Sequence, residues 1–181
     1  MNDTLKLLTI IIRPENSADD DTIEALAEAA FGPGRFARAA FRLREGVEAE
    51  DSLSFVATDG EKIIGSVRQT KILIGGRVAL VLGPLITDPS LRNLGIGREL
   101  MNRALLEAQR EGYEYVLLVG DEPYYGKFGF ERVKPGSVTL PGPADPMRIL
   151  GCELVPGAAA RYSGPATRFN EEAIGKSLPL V

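Results

Sequence analysis

The sequence predicts an α/β (α+β) domain with a mixed, mostly antiparallel central sheet, splayed at a bulged strand and flanked by helices. Three observations carry that prediction. Two turn signals, Asp59-Gly60 and Gly75-Gly76, join three apolar strands in series. A Gly83-Pro84 pair interrupts the third of them, where proline cannot donate to a ladder. Strand, loop, amphipathic helix and buried strand then follow over residues 78–119 as one right-handed βαβ unit. At 181 residues a single domain is expected. Its core covers about residues 8–155, with an irregular carboxyl-terminal extension over 156–181.

The elements follow in chain order. Leu7 to Ile12 is apolar and rich in β-branched residues, which fits a buried strand. It is far shorter than the roughly 20 residues of a membrane span, and no small-residue cleavage site follows it. The polar run Ser17 to Asp21 suits a helix amino end, with its aspartates capping and solvated, since EF-hand spacing is absent. Ile23, Leu26, Ala27 and Ala30 recur at helical spacing until Gly32-Pro33-Gly34 stops the run. A second short helix is expected over Arg35 to Arg44, with Phe36, Ala40 and Leu43 on one face. Strands over Ser52–Thr58, Ile63–Ile74 and Val78–Thr87 make the meander. If the third continues through Thr87 instead of ending at Leu82, its edge past Gly83-Pro84 is free of partners. An extended, amide-bearing ligand could then bind there by strand addition.

Ile96, Leu100, Ala104 and Ala108 lie four apart, flanked by Met101 and Leu105, and Gly112 marks the helix stop. Tyr115 to Val119 reads as a central strand buried on both faces. Gly120 to Pro123 is a turn, Tyr124 to Phe128 one or two helical turns, and Phe130 to Val133 a short strand. Seven of the 12 prolines lie at or after Pro135, so that region reads as loop apart from a last strand over Met147–Val155.

Composition excludes several chemistries. The net charge of -4 gives no global basic field, so no nucleic-acid partner is expected, nor a membrane one. A single cysteine forbids an internal disulfide and any multi-cysteine metal site. The chain has no histidine, which removes Ser-His-Asp and Cys-His relays and every His-liganded metal. Proton transfer falls to carboxylate, Tyr, Lys, Cys, backbone or water. A cytoplasmic location is expected.

The main candidate for chemistry is Arg92-Asn93-Leu94-Gly95-Ile96-Gly97-Arg98, at the start of the long helix. Glycines let ligand atoms approach the backbone, and first-turn amides with the helix dipole favour an anion. The dinucleotide fingerprint would need glycine at Leu100. The nucleotide-triphosphate loop needs Gly-Lys-Ser/Thr after a strand, which Gly126-Lys127-Phe128 and Gly175-Lys176-Ser177 do not supply.

Gly83-Pro84-Leu85-Ile86-Thr87, then Arg92 to Gly97, then Tyr125-Gly126-Lys127-Phe128-Gly129-Phe130 together resemble the GNAT superfamily of acyl-CoA-dependent N-acetyltransferases. The match covers at least Ser52 to Val133. The resemblance implies the GNAT-like fold, acetyl-CoA as cosubstrate without a metal, and a small-molecule or peptide amine as acceptor. It implies that Leu85, Ile86 and Thr87 contact the pantetheine and that Arg92 through Arg98 hold the pyrophosphate. It places Tyr125 beside the departing sulfur, with Tyr124 as the alternative because helix phase can turn either ring inward. A backbone N–H near Ile86 would hold the oxyanion. The amine needs a base or water relay, for which Asp121, Glu122, Glu45 and Glu48 are candidates. Cys152, in an apolar run, reads as core. A non-catalytic acyl-CoA-binding module is the alternative function, and free strand edges in the carboxyl half make a homodimer an expectation.

Overall fold

The computed structural model describes residues 8–34 and 38–174. Among them, β1 (Ile10–Pro14), β2 (Phe55–Asp59), β3 (Lys62–Ile74), β4 (Arg77–Thr87), β5 (Tyr115–Val119), β8 (Ile149–Glu153) and β6 (Glu131–Arg132) build one sheet. Its order is β1-β2-β3-β4-β5-β8-β6. Two short strands, β7 (Val138–Thr139) and β9 (Gly164–Arg168), pair in parallel, and β9 also joins β3. On the main path every pairing is antiparallel except β4–β5, the two ends of the βαβ unit.

Several boundaries differ from the sequence reading, each for a local reason. The first strand begins at Ile10 and runs on to Pro14, because proline ends an edge strand without cost to the ladder; Leu7 lies outside the described residues. Asp59 pairs with Lys62, so the tight turn is Gly60-Glu61 and not Asp59-Gly60; Gly60 supplies the positive φ of 62°. The second helix, α2, is described only over Ala39–Arg44; its buried residues are Ala39 and Leu43, and Arg35 and Phe36 lie outside the described residues. The first helix, α1, covers Asp20–Phe31 and follows a 3-10 turn capped by Asn16. Asp19 is not solvated: it is buried, closes the capping box and takes two bonds from Arg13 at 2.7 and 2.8 Å.

The extension after Pro156 is not wholly irregular. β3 has 13 residues, but β2 covers it only as far as Val67. β9 pairs with Ile72–Ile74 on β3, and Gly75 N–H donates to Pro165 O at 3.0 Å. Gly75 needs its missing side chain here, since a Cβ would collide with Ser163 O and its φ is +55°.

The long helix α3 (Ile96–Arg110) and a short helix α4 (Glu122–Tyr125) complete the part that bears on function. α3 buries Ile96, Leu100, Met101, Ala104 and Ala108 against Phe55, Ala57, Ile64, Val67, Leu80 and Leu82. Its first turn comes close because β3 has Gly65 below it, where a Cβ would stand 3.0 Å from both Ile96 Cγ2 and Leu100 Cδ1. Buried Gln69 of β3 fixes the middle by donating to Ala104 O and Leu53 O, both at 2.9 Å. α1 and α2 cover the opposite face, where Ile23 packs with Val56 and Ile63, and Leu43 with Val81 and Leu117. Among the described residues no helix is long and apolar enough to cross a membrane.

Candidate active site

β4 continues to Thr87. It meets β5 only at Leu80–Val116 and Val81–Leu117, while its pairing with β3 runs on to Thr87. In the β3 register, Val67 faces Leu85 and Gln69 faces Leu82, so Gly83-Pro84 is an extra step opposite Arg68. Past that bulge the two parallel strands separate into a wedge.

The direction of the wedge amides follows from the ladder. Asp88 N–H donates to Ile64 O at 2.8 Å, so Asp88 points at β3. Main-chain groups alternate sides along a strand, so Ile86 also faces β3, while Leu85 and Thr87 point to the open side. The sequence reading of an amide near Ile86 is thereby narrowed to its two neighbours. The Ile86 side chain is buried, whereas Leu85 and Thr87 are half-buried.

At the α3 side of the wedge stands the glycine loop. Asp88 opens it: its carboxylate accepts from Ser90 Oγ at 2.7 Å and Ser90 N–H at 2.9 Å, and also from Lys62 at 3.1 Å. These bonds, led by the Ser90 hydroxyl, hold its carboxyl down at about 2. Asn93 and Gly95 have φ of 68° and 78°, a pair of left-handed residues that turns the chain into α3. Glu99 N–H closes the first helical bond, on Gly95 O, so the amides of Ile96, Gly97 and Arg98 have no intrahelical acceptor. Arg92, Asn93, Leu94 and Arg98 are exposed. Arg98 folds back over Gly95, and its Nε stands 3.5 Å from Glu99. The Ile96 side chain lies in the core, so that residue offers the loop only its backbone. At Gly97 a Cβ would lie 2.7 Å from Tyr124 Oη and 3.7 Å from Thr87 Cγ2. This bare stretch, with open amides beside the free β4 edge, fits a pyrophosphate followed by an amide-bearing arm.

The other side of the wedge is a cavity of about 610 Å³. α1 and α2 form one wall, the bulge from Leu82 to Leu85 a second, and the end of β5 with Asp121, Asp145 and Arg148 a third. Tyr125 lines it, half-buried, its ring over Gly120, where a Cβ would collide with the ring edge, and edge-on to Phe130 at 6.2 Å. Burial pushes the Tyr125 phenol up to about 12, with Tyr124 and Asp121 adding to the effect. Tyr124 stands 4.9 Å from it at a right angle, so α4 sends one ring to the cavity and one hydroxyl to Gly97.

Of the carboxylates considered as bases, only Asp121 lines the cavity, and it pairs with Arg148 at 3.0 Å. Glu122 pairs with Arg132 at 2.6 Å and Glu45 stands 3.9 Å from Arg168, both away from the lining, as is Glu48. Cys152 is buried against Phe128 O, and burial raises its thiol to about 11, which makes it a core residue and a poor nucleophile. The sequence reading missed the arginines of the cavity, Arg38, Arg44, Arg68 and Arg148. No local signal marked Arg68: it lies in the polar run Arg68-Gln69-Thr70-Lys71 of β3, and only the strand register sets it opposite the bulge.

Comparison with known proteins gives the family. Residues 50–132 match the model of the acetyltransferase (GNAT) domain. The uncharacterized N-acetyltransferase YhbS of Escherichia coli K12 is 33% identical over 125 residues, covering 67% of this chain and 74% of that protein. The crystal structure of Escherichia coli YhbS in complex with CoA superposes with a TM-score of 0.77 at 26% identity over 98% of each chain. A GNAT family acetyltransferase from Brucella melitensis, in complex with acetyl-CoA, gives 0.58 at 27% identity over 78% of this chain and 94% of that one.

Proposed function

Given that the chain belongs to the GNAT family of N-acetyltransferases, we propose that it transfers an acetyl group from acetyl-CoA to a primary amine by direct attack. The observation that carries this reading is the wedge, with open α3 amides and a free β4 edge on one side and a Tyr125-lined cavity on the other.

Acetyl-CoA supplies the thioester; the protein supplies position and polarity. The amides of Ile96 to Arg98, with Arg92 and Arg98, suit the pyrophosphate, and Leu85 and Thr87 offer main-chain bonds to the pantetheine. One of those two amides is also suited to the oxyanion that develops when an amine attacks the carbonyl. Tyr125 serves the leaving sulfur. A phenol at about 12 against a thiol near 8.5 makes complete proton transfer uphill by about 5 kcal/mol. Tyr125 therefore acts by a hydrogen bond to sulfur that strengthens in the transition state. The acceptor ammonium passes its proton to Asp121 or to water beside it. With Cys152 buried and protonated, the attack needs no acyl-enzyme.

Thiol release from acetyl-CoA across a panel of primary amines tests the reading. Turnover with at least one amine is the expected result. Tight CoA binding with no turnover on any amine would replace it with a non-catalytic acyl-CoA-binding module.

A further inference from the structure

The acceptor cavity contains a cation that no carboxylate among the described residues pairs with. Arg44, the last residue of α2, is half-buried in the wall, and a Cβ on Gly83 would lie 3.9 Å from its Nη1. Its guanidinium therefore faces the β4 bulge, next to the β4 edge proposed above to receive the acyl arm. One donor is used, Nε to Ala40 O at 3.2 Å. Among the described residues no acid comes within ion-pair distance of it.

The other charges of the wall are differently placed: Glu24 of α1 also lines the cavity but is not among the charges that act on Arg44. Arg68 is held by Glu15 at 2.8 Å and Asp20 at 2.7 Å, and Arg148 by Asp121 at 3.0 Å. Arg38 sits 4.9 Å over the Phe31 ring and has no ion pair among the described residues. Asp145 accepts from Met147 N–H at 2.9 Å. Burial, together with the like charges of Arg68 and Arg38, pulls Arg44 down to about 10. Among the described residues the fold thus leaves this guanidinium without a counter-charge in a cavity wall, on a chain of net charge -4. A half-buried cation without a counterion destabilises the fold unless a ligand supplies the counterion. A guanidinium is also the planar, forked donor that suits carboxylate and phosphate oxygens.

We infer that the acceptor is an acidic amine, a primary amine that also bears a carboxylate or phosphate, and that Arg44 binds this oxyanion from the cavity wall beside the β4 bulge, with Arg38 adding charge. The inference rests on the acetyltransferase reading for the fate of the amine but not for the binding of the anion.

Two measurements keep the two readings apart. In the first, thiol release is followed with two matched pairs, 4-aminobutyrate against 4-aminobutyramide and O-phosphoethanolamine against ethanolamine. The expected result is that kcat/KM for at least one acidic member exceeds that of its neutral partner by about tenfold or more, and that Arg44→Ala removes the difference. The pair that shows it tells carboxylate from phosphate. In the second, calorimetric titration of the CoA-saturated protein with the same acidic amines reads binding without turnover. Arg44→Ala is expected to weaken it about tenfold and Arg44→Lys by less, with CoA affinity unchanged in both. Anion binding that depends on Arg44 without any turnover would retain this inference and remove the acetyltransferase reading. Equal handling of acidic and neutral amines, or anion binding indifferent to Arg44→Lys and Arg44→Ala, would overturn the inference and leave that reading intact.

Discussion

The two sides of the β4–β5 wedge are built from different material. On the α3 side the contacts on offer are main chain: the open amides of Ile96 to Arg98, the left-handed Asn93 and Gly95, and the unpaired edge at Leu85 and Thr87. On the α1–α2 side they are side chains, Arg38, Arg44, Arg68, Asp121, Tyr125 and Arg148, brought from separate elements. A main-chain site fixes one ligand geometry and tolerates little variation, because glycine and bulge positions cannot be exchanged freely. A side-chain site can be respecified one residue at a time. A fold can in this way hold its donor constant while its acceptor is chosen by separate, exchangeable groups.

Substitutions on either side put that contrast to the test. Tyr125→Phe is expected to lower kcat about 100-fold and leave CoA affinity within twofold; unchanged turnover under saturating acetyl-CoA would remove Tyr125 from the chemistry. Asp19→Asn breaks the Arg13 fork and the capping box that anchor α1, which walls the cavity and not the glycine loop. It is expected to cost about 2 kcal/mol of stability and to raise the KM for the amine while sparing CoA binding. Its pH dependence has a definite sign. The Arg13 guanidinium holds the Asp19 carboxyl below its ordinary range, so its stabilisation is present above about pH 4 and fades as pH falls through the lowered value. Denaturant melts at pH 7 and pH 3 should show the gap between wild type and Asp19→Asn narrowing at pH 3; a constant gap would refute the link.

Arg92→Ala, on the main-chain side, is expected to weaken CoA about tenfold without changing which amine is preferred. A change in amine preference would show that the two sides are not separable. The smallest effect is spectroscopic. At pH 10.5 an ordinary tyrosine is largely phenolate, but one pushed up to about 12 is not. The phenolate absorbance of wild type and Tyr125→Phe should therefore coincide at that pH, and a deficit of about one phenolate in the variant would contradict the burial of Tyr125.

The same contrast explains what the sequence disclosed. The meander, the βαβ unit and the Arg92 to Arg98 loop were legible because their parts are consecutive and each follows from a local rule: glycine where φ is positive, proline where the ladder lacks a donor, apolar residues four apart on α3. The pairing of Tyr125 with the cavity and Tyr124 with Gly97 needed the actual phase of a four-residue helix. Arg44 and Arg68 stand 24 positions apart in sequence and line one cavity only because α2 packs on the face opposite α3, so spacing could not join them. β9 was missed since Gly164 and Pro165 argue locally against a strand; it forms because β3 outlasts β2 and offers an uncovered edge.

That late strand makes the last quarter of the chain a stitch in the central fabric. A version cut at Pro156 would bare the hairpin tip from Ile72 to Gly75, where unsatisfied peptide groups and buried isoleucines would meet water side by side. Such a seam zips readily onto another copy of itself. The shortened protein should thus be lost from solution as oligomers even though every residue of the wedge is still present.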